Sequence, residues 1–371
     1  MKPHQLDTFI HDTRTRFDFF VRALWADRSL DKVAPLSEIE MDMVDFAANG
    51  PRLRGILGLR GMGKTTLVTC TLACYRLIRD NDRRVIVVSK SGTEAKKTIS
   101  LIRNWIEDVW FLNHLSPGNG HRDTTNYFDI SGSEVNRQPS VSAFGIEGQL
   151  EGNRAHTLIP DDVETKQNTK TREAREELRR LCGEFKNILY PHREHKDGGP
   201  IDPVEIPYVG TPKHEETLYQ DRIRAGYKFR AYPIAAPAPN EEVIALAPII
   251  AERIAAGTLR VGAPTLPRRF GPQEIAERMA EGYSEFARES MLISNLSATN
   301  LYPIRLSDLI VHTVDPHRAP VYMAWGERDQ TGTTALNIPC LGFGDDCLRR
   351  PVIIDPMWQP YTHTVAWIDP A

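Results

Sequence analysis

The 371-residue sequence contains no run of about eighteen uncharged apolar residues, so no membrane-spanning helix is expected. The opening stretch, MKPHQLDTFIHDTRTRFDFF, has no continuous apolar segment followed by small residues, which argues against a secretory signal. Cysteine is scarce. The five, at positions 70, 74, 182, 340 and 347, form an odd set with no C-x-x-C pair, which excludes both a disulfide framework and a zinc ribbon from the reading. Cys70 and Cys74 stand four apart on an expected helix, a spacing that marks an apolar helix face, and no metal is assigned to them. Net charge is also small, at −3, so there is no global basic footprint, and any grip on nucleic acid has to come from local loops. Internal repeats and low-complexity tracts are absent. What remains is 41% hydrophobic and 26% charged, an ordinary globular composition, and the length suits one large core with flanking subdomains.

Residues 1–50 read as a helical leader, with Phe9, Phe17, Phe20, Val21 and Leu24 on one stripe and Asn49-Gly50 as a stop signal. From Leu53 the pattern becomes strand, glycine-rich turn, helix and strand: GILGL, the turn, LVTCTLACYRLI and RRVIVVSK. Strand-like AHTLIP and VEIPYVG follow, separated by REAREELRRLCGEFKNIL with apolar residues at helical spacing. This alternation predicts an α/β core with a mainly parallel sheet flanked by helices over 51–235. YPIAAPAPNEE marks a boundary. Beyond it, EEVIALAPIIAERIAAG and PQEIAERMAEGYSEFARESMLISNL predict a small helical lid or linker subdomain over 236–330. Residues 331–371 read as a connector ending in a strand-like run, YTHTVAWIDPA, that stops as though cut.

Gly58-Leu59-Arg60-Gly61-Met62-Gly63-Lys64-Thr65 fits the phosphate-binding pattern G-x-x-x-x-G-K-[ST] after a strand and before a helix. The glycines let backbone N–H groups face phosphate oxygens, where the helix N-terminus adds partial positive charge. Gly58, Arg60, Gly61, Met62, Gly63, Lys64, Thr65 and Thr66 are therefore the expected nucleotide-binding residues. Lys64 would bridge the β- and γ-phosphates of ATP, and the Thr65 hydroxyl would ligate Mg²⁺. Arg60 is either a phosphate-directed cation acting within its own chain or a solvated loop residue.

A P-loop needs an acidic partner at the end of a nearby strand, and Thr157-Leu158-Ile159-Pro160-Asp161-Asp162-Val163-Glu164 supplies it. Asp161 is the expected metal-side carboxylate, while Asp162 and Glu164 are alternative bases for the attacking water. Pro160 lacks an N–H, which predicts that the strand ends there. Gly210-Thr211-Pro212 closes another apolar strand, third in order. Together these segments predict a P-loop ATPase of the type with an additional strand between the P-loop strand and the acidic strand.

The blocks GLRGMGKTT, GQLEGNRAHTLIPDDVET, VGTPKHEETLY, NLYPIRLSDLIV and VAWIDPA resemble, in succession, those of podophage terminase large subunits of the DNA maturase B type, over nearly the whole chain. The resemblance implies an ATP-driven motor that moves double-stranded DNA into a procapsid. Its implied partners are a portal protein, a small terminase subunit and copies of itself in a ring, in the host cytoplasm. By the same resemblance Lys64, Thr65, Asp161 and an adjacent carboxylate catalyse, Thr211 couples hydrolysis to DNA, and MVDFAANGPRLR frames the adenine. Arg154, in the GNRA turn, is either a finger reaching a neighbouring subunit's site or a surface residue. The family carries a nuclease domain whose first metal-binding aspartate matches Asp369, and without partner carboxylates Asp369 is not expected to support cleavage. A helicase or other DNA-remodelling ATPase, suggested by SKSGTEAKK after the second strand, is the alternative. A non-catalytic nucleotide-ordered scaffold is the third reading, and the paired carboxylates oppose it.

Overall fold

The computed structural model describes residues 3–28, 35–118, 120–134, 136–191 and 202–293, with 317–320, 323–324, 337–339, 349–353 and 357–360 beyond them. The chain forms two compact units, Met1–Leu296 and Ser297–Ala371. In the second, β8 (Arg318–Pro320) pairs antiparallel with β12 (Trp358–Pro360), and β11 (Arg349–Ile353) pairs antiparallel with β9 (Met323–Ala324) and β10 (Asn337–Pro339). Segments 300–311 and 361–371, with Asp369, lie outside the described residues, as do Cys340 and Cys347.

The first unit is built on a seven-stranded sheet of order β3-β4-β2-β5-β6-β1-β7. Its strands are β1 (Leu53–Gly58), β2 (Val85–Ser89), β3 (Tyr127–Phe128), β4 (Val141–Gly145), β5 (Thr157–Asp161), β6 (Ile206–Gly210) and β7 (Lys228–Tyr232). All neighbours are parallel except β3 and β4. Every residue of β2, β5 and β6 is buried, as expected for strands covered on both faces, which is why they read as near-continuous apolar runs. The order places β6 between the P-loop strand β1 and the acidic strand β5, the additional-strand arrangement anticipated from sequence. β4, the antiparallel edge strand β3 and the other edge strand β7 are additions that the sequence pattern did not reveal. In Val141–Gly145 the polar Ser142, small Ala143 and Gly145 leave little of the apolar run that marks β2, and Ser140 precedes it.

Three helices begin the unit: α1 (Pro3–Thr15), α2 (Phe17–Asp27) and α3 (Glu38–Asn49). Of the expected apolar stripe, Phe17, Phe20, Val21 and Leu24 are buried on α2, joined there by Trp25, whereas Phe9 lies on α1 and is half-buried. Ser37 and Glu40 form a capping box that starts α3. Asp42 then ties α3 to β7, accepting from Arg230 and from the Tyr232 hydroxyl at 2.7 Å each. After the P-loop a π-helical turn, Thr65–Cys70, runs into α4 (Thr71–Arg79), where Cys70 and Cys74 are both buried. Two more helices, α5 (Gly92–Asp108) and α6 (Arg172–Gly183), cover the sheet, each opened by a hydroxyl cap, Ser91 and Thr171 respectively.

Two expectations on local structure change. β5 runs through Pro160 to Asp161, in register with β2 as Val88 against Pro160. Along the β6 side, Leu158 N donates to Glu205 O and Asp162 N to Val209 O, so the missing proline N–H removes only the bond between these two. The strand survives because its other ladder is intact. In the segment 241–257, the helix begins only at Pro248, as α7 (Pro248–Ala255). Pro248 sits at the first turn, where no N–H is needed, and residues before it bridge instead, Val243 with Ile293 and Leu246 with Ala231. The expected helix over 272–296 is α8 (Pro272–Ala280), a break at Gly282 with φ +148°, and a further turn ending in a π-helical stretch, Phe286–Ser290.

Opposite the C-terminal edge of the sheet lies a buried ionic network that sequence reasoning missed. Glu205, fully buried, accepts from Arg54 at 2.6 Å, Arg76 at 2.7 Å, Arg83 at 3.1 Å and the Thr157 hydroxyl at 3.0 Å. Arg54 and Arg76 also reach the carbonyls of Ala47 and Ala48, which fixes the end of α3 to the sheet.

Candidate active site

The C-terminal ends of β1, β5 and β6 converge on one edge of the parallel sheet, the edge at which α/β proteins bind ligands. The P-loop turns there. Gly61 and Gly63 adopt φ of +88° and +78°, a backbone region that favours glycine. A Cβ on Gly58 would stand 2.8 Å from the sulfur of buried Met62 and 3.1 Å from Lys64 Cδ, so the loop folds over its own first glycine. Thr65 begins the π-helical turn and is half-buried, as is Thr66, whose carbonyl accepts from Thr71. Helices of this width are rare and often mark functional sites.

Lys64 is buried, and its Nζ donates to Leu59 O at 3.1 Å and to the Thr211 hydroxyl at 2.8 Å. Thr211 in turn donates to Gly58 O at 2.7 Å. Burial lowers the Lys64 pKa, and the charges of Asp162 and Asp161 oppose that fall. The structure thus brings Thr211, 147 residues away, onto the P-loop lysine.

Asp161 ends β5, buried. Burial pushes its carboxyl up to about 7, the neighbouring Asp162 adds to the rise, and the Thr65 hydroxyl and Lys64 oppose it. Its Oδ1 makes no hydrogen bond. A divalent cation between the Thr65 hydroxyl and Asp161 would supply that partner and favour the ionised carboxylate, and the all-oxygen donor set suits a hard ion such as Mg²⁺. A recess of about 230 Å³ lined by Thr65, Ser89, Lys90, Thr98, Asp161 and Asp162 opens on this side.

The two alternative bases differ in their surroundings. Asp162 is half-buried with φ +47°, a strained conformation for a residue with a side chain, and its Oδ1 has no hydrogen-bond partner. Glu164 is buried and fully engaged. Its Oε1 accepts from Lys213 N at 2.7 Å, and its Oε2 accepts from Leu218 N and the Thr217 hydroxyl, each at 2.7 Å. It therefore clamps the loop that follows β6, the loop carrying Thr211.

Arg60 is exposed at the P-loop turn, with no side-chain hydrogen bond or ion pair among the described residues, and only its carbonyl is engaged, by Arg278. Arg154 is not brought to this edge. It is exposed, donates to its neighbour's carbonyl Asn153 O at 2.9 Å, and precedes β5 by three residues. It stands before the start of β5, whereas Asp161 closes the strand at its other end, four strand steps of about 3.3 Å from Thr157. Met43, Val44 and Ala47 of the upstream segment are buried in the core on α3. Sequence reasoning also missed Lys213, two residues after Thr211, and Glu289, whose partnership is described below.

The sheet order and the P-loop with its acidic strand define a P-loop ATPase fold of the additional-strand class. No protein-family model matches the chain. It is 35% identical over 363 residues to the terminase large subunit of Enterobacteria phage T3, a match covering 96% of this chain and 59% of that protein. The chain belongs to the phage terminase large-subunit family and spans about three-fifths of the length of that relative. Among solved structures, the HK97 bacteriophage large terminase aligns with a TM-score of 0.40 at 13% identity, over 69% of this chain and 50% of that one. The ATPase domain of the Thermus phage P74-26 large terminase aligns with a TM-score of 0.33 at 12% identity, over 70% and 98%.

Proposed function

We propose that this chain is the ATP-hydrolysing motor portion of a terminase large subunit, driving double-stranded DNA into a procapsid. The observation that carries the reading is the convergence of the buried Lys64, its partner Thr211 and the unpaired Asp161 oxygen on one sheet edge. In this reading Gly58 to Thr66 cradle the triphosphate of ATP through backbone N–H groups, and Lys64 holds its β- and γ-phosphates. Thr65 and Asp161 would hold Mg²⁺, which would offset phosphate charge when bound. Asp162 takes the proton of the attacking water, a role supported by its unpartnered carboxylate oxygen and by Glu164 being spent on the clamp. Arg60 directs a second cation toward the phosphates from its own chain.

Residues 51–235 form the ATPase core in this proposal, 236–293 the lid and linker, and 1–50 a helical leader; Arg318–Pro320 and Met323–Ala324, inside the expected helical span of 236–330, are strands of the second unit. Copies of the chain assemble as a ring with a portal and a small terminase subunit, in the host cytoplasm. No helix among the described residues is long and apolar enough to cross a membrane.

Steady-state ATP turnover with and without duplex DNA tests the reading. Turnover that rises with DNA, and that falls by about 10²–10³-fold in Lys64→Ala, the scale of losing one preorganised charge-stabilising donor, is the expected outcome. Wild-type chain that neither binds nor hydrolyses ATP would sink it.

For Arg154, exposed before the start of β5 while Asp161 closes that strand's other end, we propose a role toward a neighbouring copy. Arg154→Ala then keeps an intact site but lacks a finger, while Lys64→Ala keeps a finger beside a dead site. Mixed rings of the two should regain part of the turnover. Verified mixed rings that stay inactive would return Arg154 to a surface turn.

A further inference from the structure

The stretch from α8 to Ser290 is fastened to each of the three loops that build the site. At the P-loop, Arg278 Nη1 donates to Arg60 O at 3.2 Å, and its guanidinium lies 3.6 Å from where a Cβ on Gly61 would stand. At the loop after β5, Lys166 pairs with Glu285 and reaches Glu289 Oε1 at 3.6 Å. At the loop after β6, Lys213 Nζ donates to Glu289 Oε2 at 2.7 Å, and Arg288 Nη1 donates to Lys213 O at 3.4 Å. The Lys213–Glu289 pair is the most buried of these ion pairs, its side chains 15% and 8% exposed. An ion pair taken out of water contributes little to stability, and the best-attested use of such a pair is to fix register or to act as a switch. Glu289 also sits in the π-helical stretch Phe286–Ser290, so the pair is made by a helix segment one residue wider than the α form.

Phosphate chemistry reaches this pair through two residues of chain. The Lys64 ammonium has three N–H donors, two of them directed at Leu59 O and the Thr211 hydroxyl, so a phosphate oxygen bound at Lys64 would share one cation with Thr211. Phosphate at Lys64 would thereby weaken or redirect the bond to Thr211, and Lys213, with its N–H held by Glu164, is the next ion-paired side chain along the loop.

We infer that Lys213 and Glu289 are positioning residues for hydrolysis, forming the latch through which the 272–290 strap follows the phosphate state of the site. The inference rests on the ATPase reading proposed above. Breaking the latch leaves nucleotide binding to the P-loop but uncouples the strap, so turnover falls without a matching loss of affinity.

The test uses the full chain. ATPγS affinity, steady-state kcat and KM, and amide hydrogen exchange of residues 272–290 with and without ATPγS are measured for wild type, Lys213→Met, Glu289→Gln and the double variant. Wild type should show ATPγS-dependent protection of the strap. Each single variant should bind ATPγS within about threefold of wild type, lose about tenfold in kcat and lose that protection, and the double variant should be no worse than either single, as for a coupled pair. Lys213→Arg, which keeps the cation, should retain most of the rate. Strap exchange that ignores ATPγS in the wild type overturns the latch whatever the variants do, including variants that fail to fold. So do additive losses in the double variant. Wild type that binds no nucleotide removes the ATPase reading itself, an outcome distinct from intact binding with an indifferent strap.

Discussion

Asp162→Asn should bind ATP as tightly as wild type and turn it over about 10²–10⁴-fold more slowly, the range for removing a general base. The substitution isolates the charge. Asparagine tolerates the positive φ that Asp162 adopts, so the backbone after β5 need not move. Glu164→Gln should behave differently, because both Glu164 oxygens accept from three donors on the 213–218 loop. An amide nitrogen in place of one oxygen sets donor against donor. The expected result is a loss of about 1–3 kcal/mol in stability, the scale of an unmet buried hydrogen bond, with turnover reduced less than about tenfold. Measuring ATP affinity, single-turnover rate and thermal unfolding on both variants separates the two roles. If Glu164→Gln binds ATP normally and abolishes cleavage while Asp162→Asn remains active, the base is Glu164.

That contrast marks the limit of what these residues disclosed as letters. The P-loop was legible because its chemistry demands glycines, a lysine and a hydroxyl at fixed spacing, and Asp161 followed as the acidic residue closing the next suitable strand. Thr211 was legible only as the third block in order, and its contact with Lys64 needed the fold, since 147 residues separate them. Asp162 and Glu164 could not be told apart, because a carboxylate that faces a substrate and one that clamps a loop are the same letter. The clamp's donors are mostly backbone N–H groups, which carry no side-chain signature. Pro160 misled for a related reason: the rule that proline ends strands applies to the ladder that needs its N–H, and the ladder to β2 did not. The late start of α7 was written in Pro248, but the apolar spacing of 243–254 obscured it. Residues Val243 and Leu246 satisfy extended pairing as readily as one face of a helix.

The Glu205 network was hidden by distance in sequence, with arginines at 54, 76 and 83 meeting one carboxylate more than a hundred residues on. Glu205→Ala is expected to destabilise the first unit by about 3–5 kcal/mol, because it leaves three guanidinium groups buried without their shared anion. Glu205→Gln should fall between that variant and wild type, keeping hydrogen-bond acceptance but losing the charge. The pH dependence has a definite sign. Burial alone would raise the Glu205 carboxyl, but Arg76, Arg54 and Arg83 outweigh it and hold the group well below the usual carboxylate range. A depressed folded-state value means that the network's contribution is fully present above the unfolded-state value of about 4.5 and is lost only as pH falls toward the folded-state one. The gap between wild type and Glu205→Gln, measured by denaturant unfolding, should therefore be largest at neutral pH and narrow between about pH 4.5 and pH 3, as the unfolded-state carboxylate takes up its proton. A constant gap across that range, or a Glu205→Ala variant within about 1 kcal/mol of wild type at pH 7, would mean that the arginines find other partners, such as Asp202, which already accepts from Arg76 at 3.0 Å and Arg79 at 2.8 Å.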